Sequence, residues 1–208
     1  MNYTLIPAGI GDMAQKVWLS YSTLNNFYES PHSYLNKMMG ATVPENEYMI
    51  AGKAAHKIFT DHVTGVKLDS RIPFTVKFQK PEHKVFGDYT SGYGLYGFID
   101  AISYKTKTIC EYKTSSKPWN QARFEKLMQI PFYGLATGFR KIYMVTSTPD
   151  LENFKTFYKE LTDADIQNVK DWIDGAIAKL KAGDFYGDLD ENRKCTGRCP
   201  YGAHCLFL

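Results

Sequence analysis

The sequence predicts an α+β fold, a central mixed sheet flanked by helices. Three observations carry this. Long stretches near both ends repeat their apolar residues at helical spacing. The middle of the chain breaks into short apolar runs separated by Gly and Asp, as strands do. The element order is helices, a run of strands, a helix, two strands and a closing helix. The chain has 208 residues, 44% hydrophobic and 23% charged, which suits a folded domain rather than a disordered one.

Residues 1–18 show no clear pattern and read as an arm. Residues 20–39 read as a helix capped by Ser20 or Ser22, with Leu24, Phe27 and Tyr28 on one face and Pro31 stopping or bending it. A second helix runs from about Glu45 to His62. Its apolar stripe is Ile50, Ala51, Ala54, Ala55, Ile58 and Phe59, which leaves His56 on the polar side. Residues 73–78, 83–87, 94–104 and 107–113 then read as strands, and the last two are close enough to form an antiparallel hairpin.

Helix follows over residues 117–138. Pro118 suits its first position, and Pro131 marks a kink or a new start. Residues 141–148 and 153–161 read as a strand pair. Thr162 or Asp163 opens a long helix carrying Ile166, Val169, Ile173, Ala176, Ile177 and Leu180, and Gly183 ends it. The whole chain, 1–208, thus reads as one domain: arm 1–18, helical segment 19–63, sheet core 70–161, long helix 162–183 and Cys-rich tail 190–208.

Lys and Arg number 25 against 22 Asp and Glu, a net charge of +3. That excludes a strongly basic tail protein and still allows a local basic cleft. No apolar run approaches the roughly 20 residues of a membrane span. The start lacks a charged segment followed by an apolar one, so no signal peptide is expected. The expected location is the cytoplasm, the host's if the source is viral. Three of the four cysteines, Cys195, Cys199 and Cys205, fall in the last 14 residues. In a reducing compartment such clustering points to metal rather than disulfides.

The stretch from Gly97 to Pro118 is the most informative. Asp100 ends an apolar run on one strand of the hairpin. Glu111 and Lys113, two apart on the next strand, share a face, while Cys110 and Tyr112 take the other. Two carboxylates and an ammonium thus meet near one end of a hairpin. A divalent cation relieves the cost of burying them, and oxygen ligands suit magnesium or manganese. Asp100 and Glu111 then hold the ion, a water is activated against a phosphate, and Lys113 orients that water or offsets the developing charge. The same spacing also suits an exposed hairpin with an ordinary Glu–Lys pair. His56 offers a third ligand from the second helix. Gln129 and Tyr133, one turn apart, share a helix face and read either as holding the site residues and contacting a DNA strand or as an incidental polar pair beside a core Tyr.

These pieces fall in one order: S-x-S-x-L-x-x-F at 20–27, G-x-x-x-H at 52–56, G-F-I-D at 97–100, E-Y-K-T at 111–114 and Q-x-x-x-Y at 129–133. Together they resemble the RecB-like branch of the PD-(D/E)XK nuclease superfamily, in particular its small CRISPR-associated and phage-encoded exonucleases. The resemblance spans residues 18–205. It implies that His56, Asp100, Glu111, the Tyr112 carbonyl and Lys113 surround a Mn2+ or Mg2+ site. Gln129 and Tyr133 are implied to support that site and position DNA, and Ser20 and Ser22 to lie near the DNA path.

Relatives of this kind often hold an iron–sulfur cluster on an early Cys and three tail cysteines. Here the tail reads C-x3-C-x5-C, but Ser30 stands at the early position. Zinc held by Cys195, Cys199, Cys205 and His32, or an iron–sulfur cluster with Ser30 or His32 as fourth ligand, are the open alternatives. His204 is a further donor, and three free thiols is the plain alternative.

The expected activity is a metal-dependent DNA nuclease, an exonuclease acting on single strands or ends, although an endonuclease also fits. Lys117 and Arg123 would line the strand path, with Trp119 as a stacking ring. The alternative is an adaptor that binds DNA ends, with weak or partner-dependent cleavage. A protein partner in recombination, replication or CRISPR adaptation is compatible with either, and a membrane with neither.

Overall fold

The computed structural model describes residues 16–90 and 92–183. In chain order the elements are β1 (Val17–Ser20), α1 (Tyr21–Glu29), α2 (Pro31–Met38), α3 (Glu47–Thr64), β2 (Lys80–Thr90), β3 (Tyr93–Ser103), β4 (Thr108–Thr114), α4 (Gln121–Glu125), α5 (Gln129–Thr137), β5 (Lys141–Ser147), β6 (Lys155–Glu160) and α6 (Asp163–Ala182). The fold is α+β. The strands form one mixed sheet in the order β1-β3-β4-β5-β6, with β2 added against β3.

Helix ends are set by local chemistry. The Asn46 side chain accepts the Met49 N–H at the start of α3, and Gly65 closes that helix at φ 76°. Thr162 and Asp165 form a reciprocal capping box on α6. Two cores cover the two faces of the sheet. One gathers Leu24, Phe27, Leu95, Ile99, Phe132, Val169 and Ile173 from α1, β3, α5 and α6. The other gathers Ala55, Phe59, Val63, Cys110, Tyr112 and Val145 from α3, β4 and β5. Among the described residues no helix is long and apolar enough to cross a membrane.

Several expectations need correction. Residues 20–39 form two helices, because Ser30 ends α1 and its side chain caps α2 ahead of Pro31. Val17 and Trp18 belong to β1, paired in parallel with Tyr93 and Gly94, a partner too distant in sequence to announce itself. Residues 73–78 join no ladder. Phe74 and Phe78 are buried in alternation, but as a strap over α3, where the Phe74 carbonyl lies 3.1 Å from His62 Nε2.

The α3 stripe also differs. Ala55, Phe59 and Val63 are buried, whereas Ile50, Ala51 and Ala54 are exposed. Residues 117–138 hold two short helices. Asn120 caps α4, which leaves Pro118 outside it. Pro131 sits third in α5, where its missing N–H breaks no helical bond.

Helix α5 lies close on β2. A methyl group on Gly87 would stand 2.7 Å from the Ala136 carbonyl oxygen and 3.0 Å from its Cα. Backbone must move to admit it. Gly87→Ala is therefore expected to cost about 1–3 kcal/mol, read as a lower thermal midpoint. An unchanged midpoint would show that the helix does not rest on this strand.

Candidate active site

Strand β3 has two edges. Strand β2 occupies one along nearly its whole length. The other is divided: β1 pairs with residues 93–96 and β4 with residues 101–103. Residues 97–100 have no ladder partner on that side, and the candidate groups collect in this gap.

Asp100 stands one residue beyond the last β3–β4 pair, Ala101 with Cys110. Its Oδ2 accepts the Tyr112 backbone N–H at 2.6 Å, so a side chain replaces the ladder where the strands part. Its Oδ1 lies 2.8 Å from His56 Nε2 on α3. Face alternation slips here: Leu95, Ile99 and Ile102 share one core, and Ala101 joins the other. The β2 ladder skips the position opposite Asp100, where Glu82 has φ 40°. A local irregularity of this kind re-aims a side chain, here to within reach of both α3 and β4.

Glu111 is almost sealed from solvent, at 2% exposure. Its Oε1 receives Lys113 Nζ at 2.7 Å and Gln129 Nε2 at 2.6 Å. Gln129 Nε2 also lies 3.0 Å from the Tyr133 hydroxyl, which donates to the Phe98 carbonyl at 2.8 Å. That carbonyl belongs to the unpaired stretch of β3. Gly97 admits the Tyr133 ring, since a methyl there would stand 2.6 Å from its Cε1. One helical turn of α5 thus ties the parted strands together.

The electrostatics follow from burial. Desolvation, then the Asp100 charge, pushes the Glu111 carboxyl up to about 7 against the pull of Lys113. Burial draws Lys113 down, but the Glu111 charge and hydrogen bond outweigh it, so the group is raised and remains an ammonium. Burial also lowers His56, and the hydrogen bond and charge of Asp100 more than offset this, raising it overall. Burial followed by the two acids drives the Cys110 thiol well up, which makes it inert.

Glu111 Oε2 and Gln129 Oε1 are buried without a hydrogen-bond partner. Orphaned oxygen of this kind is costly, and a cation relieves it. Among the described residues no three His, Cys, Asp or Glu side chains form a ready-made cage. The donors stand instead as two pairs, His56 with Asp100 and Lys113 with Glu111. By donor chemistry, two carboxylates and one imidazole with an unsatisfied oxygen among them, the residues fit a hard divalent ion such as Mg2+ or Mn2+.

The other expected residues are dispersed. The Ser20 hydroxyl caps α1, accepting the Thr23 N–H at 3.2 Å, with Ser22 Oγ 3.2 Å away. Lys117 and Arg123 are exposed. Trp119 is not an open stacking ring: it is buried in the core, and the Arg123 guanidinium lies 3.8 Å from its ring centre. The side chain of Ser30 accepts the Ser33 N–H, and His32 is the second residue of α2. Cys195, Cys199, Cys205 and His204 lie outside the described residues.

Sequence reasoning passed over Tyr21. It lines a cleft of about 490 Å³ with Asn25, Glu29, Arg123 and Lys126, and its hydroxyl is raised to about 12 by burial against the opposing charge of Lys113. No local signal marks it, because the cleft forms only where α1 and the α4 segment come together in the tertiary structure.

The family model for the PD-(D/E)XK nuclease superfamily matches residues 66–206. No curated protein matches the sequence. Among solved structures, SSO0001 is similar at 16% identity over 91% of this chain and 86% of its own, with a TM-score of 0.56. The alkaline exonuclease LHK-Exo from Laribacter hongkongensis is similar at 14% identity over 81% of this chain and 89% of its own, TM-score 0.53. Its complex with dAMP gives 15%, 79%, 88% and 0.52 for the same measures. At these identities the likeness is one of fold.

A carboxyl whose value is higher in the folded state binds more protons when folded. The Glu111 contribution to stability is therefore fully present below about 4.5 and lost as pH rises through about 7. In chelator, the wild type should lose more thermal stability between pH 5.5 and 8 than Glu111→Gln, by on the order of a few kcal/mol. Parallel pH profiles for the two proteins would contradict this.

Proposed function

The chain belongs to the PD-(D/E)XK nuclease superfamily, and from that premise we propose that it is a divalent-metal-dependent deoxyribonuclease. We read it as an exonuclease of the RecB-like branch, acting on single strands or DNA ends, with residues 1–208 as one nuclease domain. The observation that carries this reading is the orphaned Oε2 of Glu111 beside the Asp100–His56 and Glu111–Lys113 pairs.

His56, Asp100, Glu111 and the Tyr112 carbonyl would hold Mg2+ or Mn2+. When bound, such an ion polarises the phosphodiester and acidifies water. Lys113 keeps its proton under Glu111 and presents a fixed positive charge where negative charge builds on the phosphate. Gln129 fixes the Glu111 carboxylate through Oε1 and leaves Oε2 free to coordinate. Tyr133 acts through Gln129 and the Phe98 carbonyl as a positioning residue. The similarity in fold to an alkaline exonuclease supports the exonuclease reading.

End-labelled single- and double-stranded DNA with Mn2+ tests the proposal. Asp100→Asn and Lys113→Ala should each cut the rate at least about a hundredfold without loss of fold. Chelation should stop cleavage, and added Mn2+ should restore it. Equal rates in wild type and variants would refute the assignment. DNA binding without hydrolysis in the wild type would favour the end-binding adaptor.

A further inference from the structure

Gly97 faces α5, so its neighbours Tyr96 and Phe98 project from the opposite side of the sheet. Their ladder partners on β2 are Phe86 and Lys84. Phe86 and Phe98 are 53% and 57% exposed. Lys84 Nζ lies 4.8 Å from the Phe86 ring centre and 5.7 Å from that of Phe98. Trp18, on β1, meets Phe86 edge-on at 5.2 Å and lies over Gly94. The result is a row of rings, Trp18, Phe86 and Phe98, with an ammonium between the last two.

Exposed rings standing together are unfavourable in water unless something covers them. Two features say what. The ammonium sits in the middle of the patch, where the core of a protein interface is depleted of lysine. A nucleic-acid strand needs both elements, faces for its bases and cations for its phosphates. The row is also continuous with the candidate active site. Phe98 is two residues from Asp100, about 7 Å along the strand, and Tyr133 holds its carbonyl.

We infer that this face of β2 and β3 is a track for single-stranded DNA, with bases stacked on Phe86 and Phe98 and a phosphate on Lys84, leading to the gap at Asp100. Phenylalanine has no polar edge to read a base, so the track is tolerant of sequence. The assigned direction of the strand rests on the nuclease reading; the stacking chemistry does not.

Anisotropy of a fluorescein-labelled 20-residue oligodeoxythymidine, titrated with full-length protein in chelator, tests the track. Phe86→Ala and Phe98→Ala should each weaken binding roughly tenfold, with thermal midpoints held. Phe86→Trp should retain it. Lys84→Gln should lower the salt slope by about 0.7. Unchanged affinity in both alanine variants overturns the inference, as does a shift from dimer to monomer with affinity intact, which would mark the face as a contact between copies. If the rings prove necessary for binding while the wild type cleaves no DNA with Mn2+, the track stands and the nuclease reading fails.

Discussion

A carboxylate is held almost out of water in the middle of this protein. Glu111 carries one oxygen saturated by Lys113 and Gln129 and one with no partner. Desolvation alone would favour the protonated acid, and the neighbouring Asp100 charge pushes the same way. An arrangement that weakens the fold in this manner is common where a group is poised for chemistry. The surrounding elements are best understood as the means of keeping Glu111 in place despite that cost.

The divided edge of β3 makes the arrangement possible. Because β1 and β4 share that edge, the sheet opens at residues 97–100 without losing its continuity through β2. Two of the backbone groups at the parting find a side-chain substitute. The Asp100 carboxylate receives the Tyr112 N–H, and the Tyr133 hydroxyl reaches the Phe98 carbonyl. Hydrogen bonds that would have closed the sheet are thus made by the side chains at the site, so stability and geometry depend on the same atoms.

Tyr112 links this gap to the second core. Its ring stacks on Phe59 of α3 at 4.3 Å, and its hydroxyl lies 2.6 Å from Ser147 Oγ. That packing sets the distance from α3 to β4 and so brings His56 to Asp100. The candidate site is therefore built from both faces of the sheet. The α3 face contributes the imidazole, and the α5 face contributes the amide and phenol.

The α+β class, the hairpin and the long closing helix were legible because they depend on local pattern: short apolar runs, a few residues between strands, a capping Thr or Asp and a terminal Gly. The shared face of Glu111 and Lys113 followed from the two-residue period of a strand. The order of motifs also brought Gln129 and Tyr133 into consideration. The pattern misled at residues 73–78, where alternate burial signals an extended chain but not whether it has a ladder partner. It misled at Trp119 too, since an aromatic after a catalytic strand looks the same whether it is open or covered. What the sequence by itself determined is which groups are present and which elements carry them. Tertiary structure alone decided that β3 is shared between two strands, that Asp100 reaches α3, and that one oxygen of Glu111 goes without a partner. Those outcomes depend on contacts between distant segments, and hydrophobic and hydrogen-bonding propensities do not encode such pairings locally.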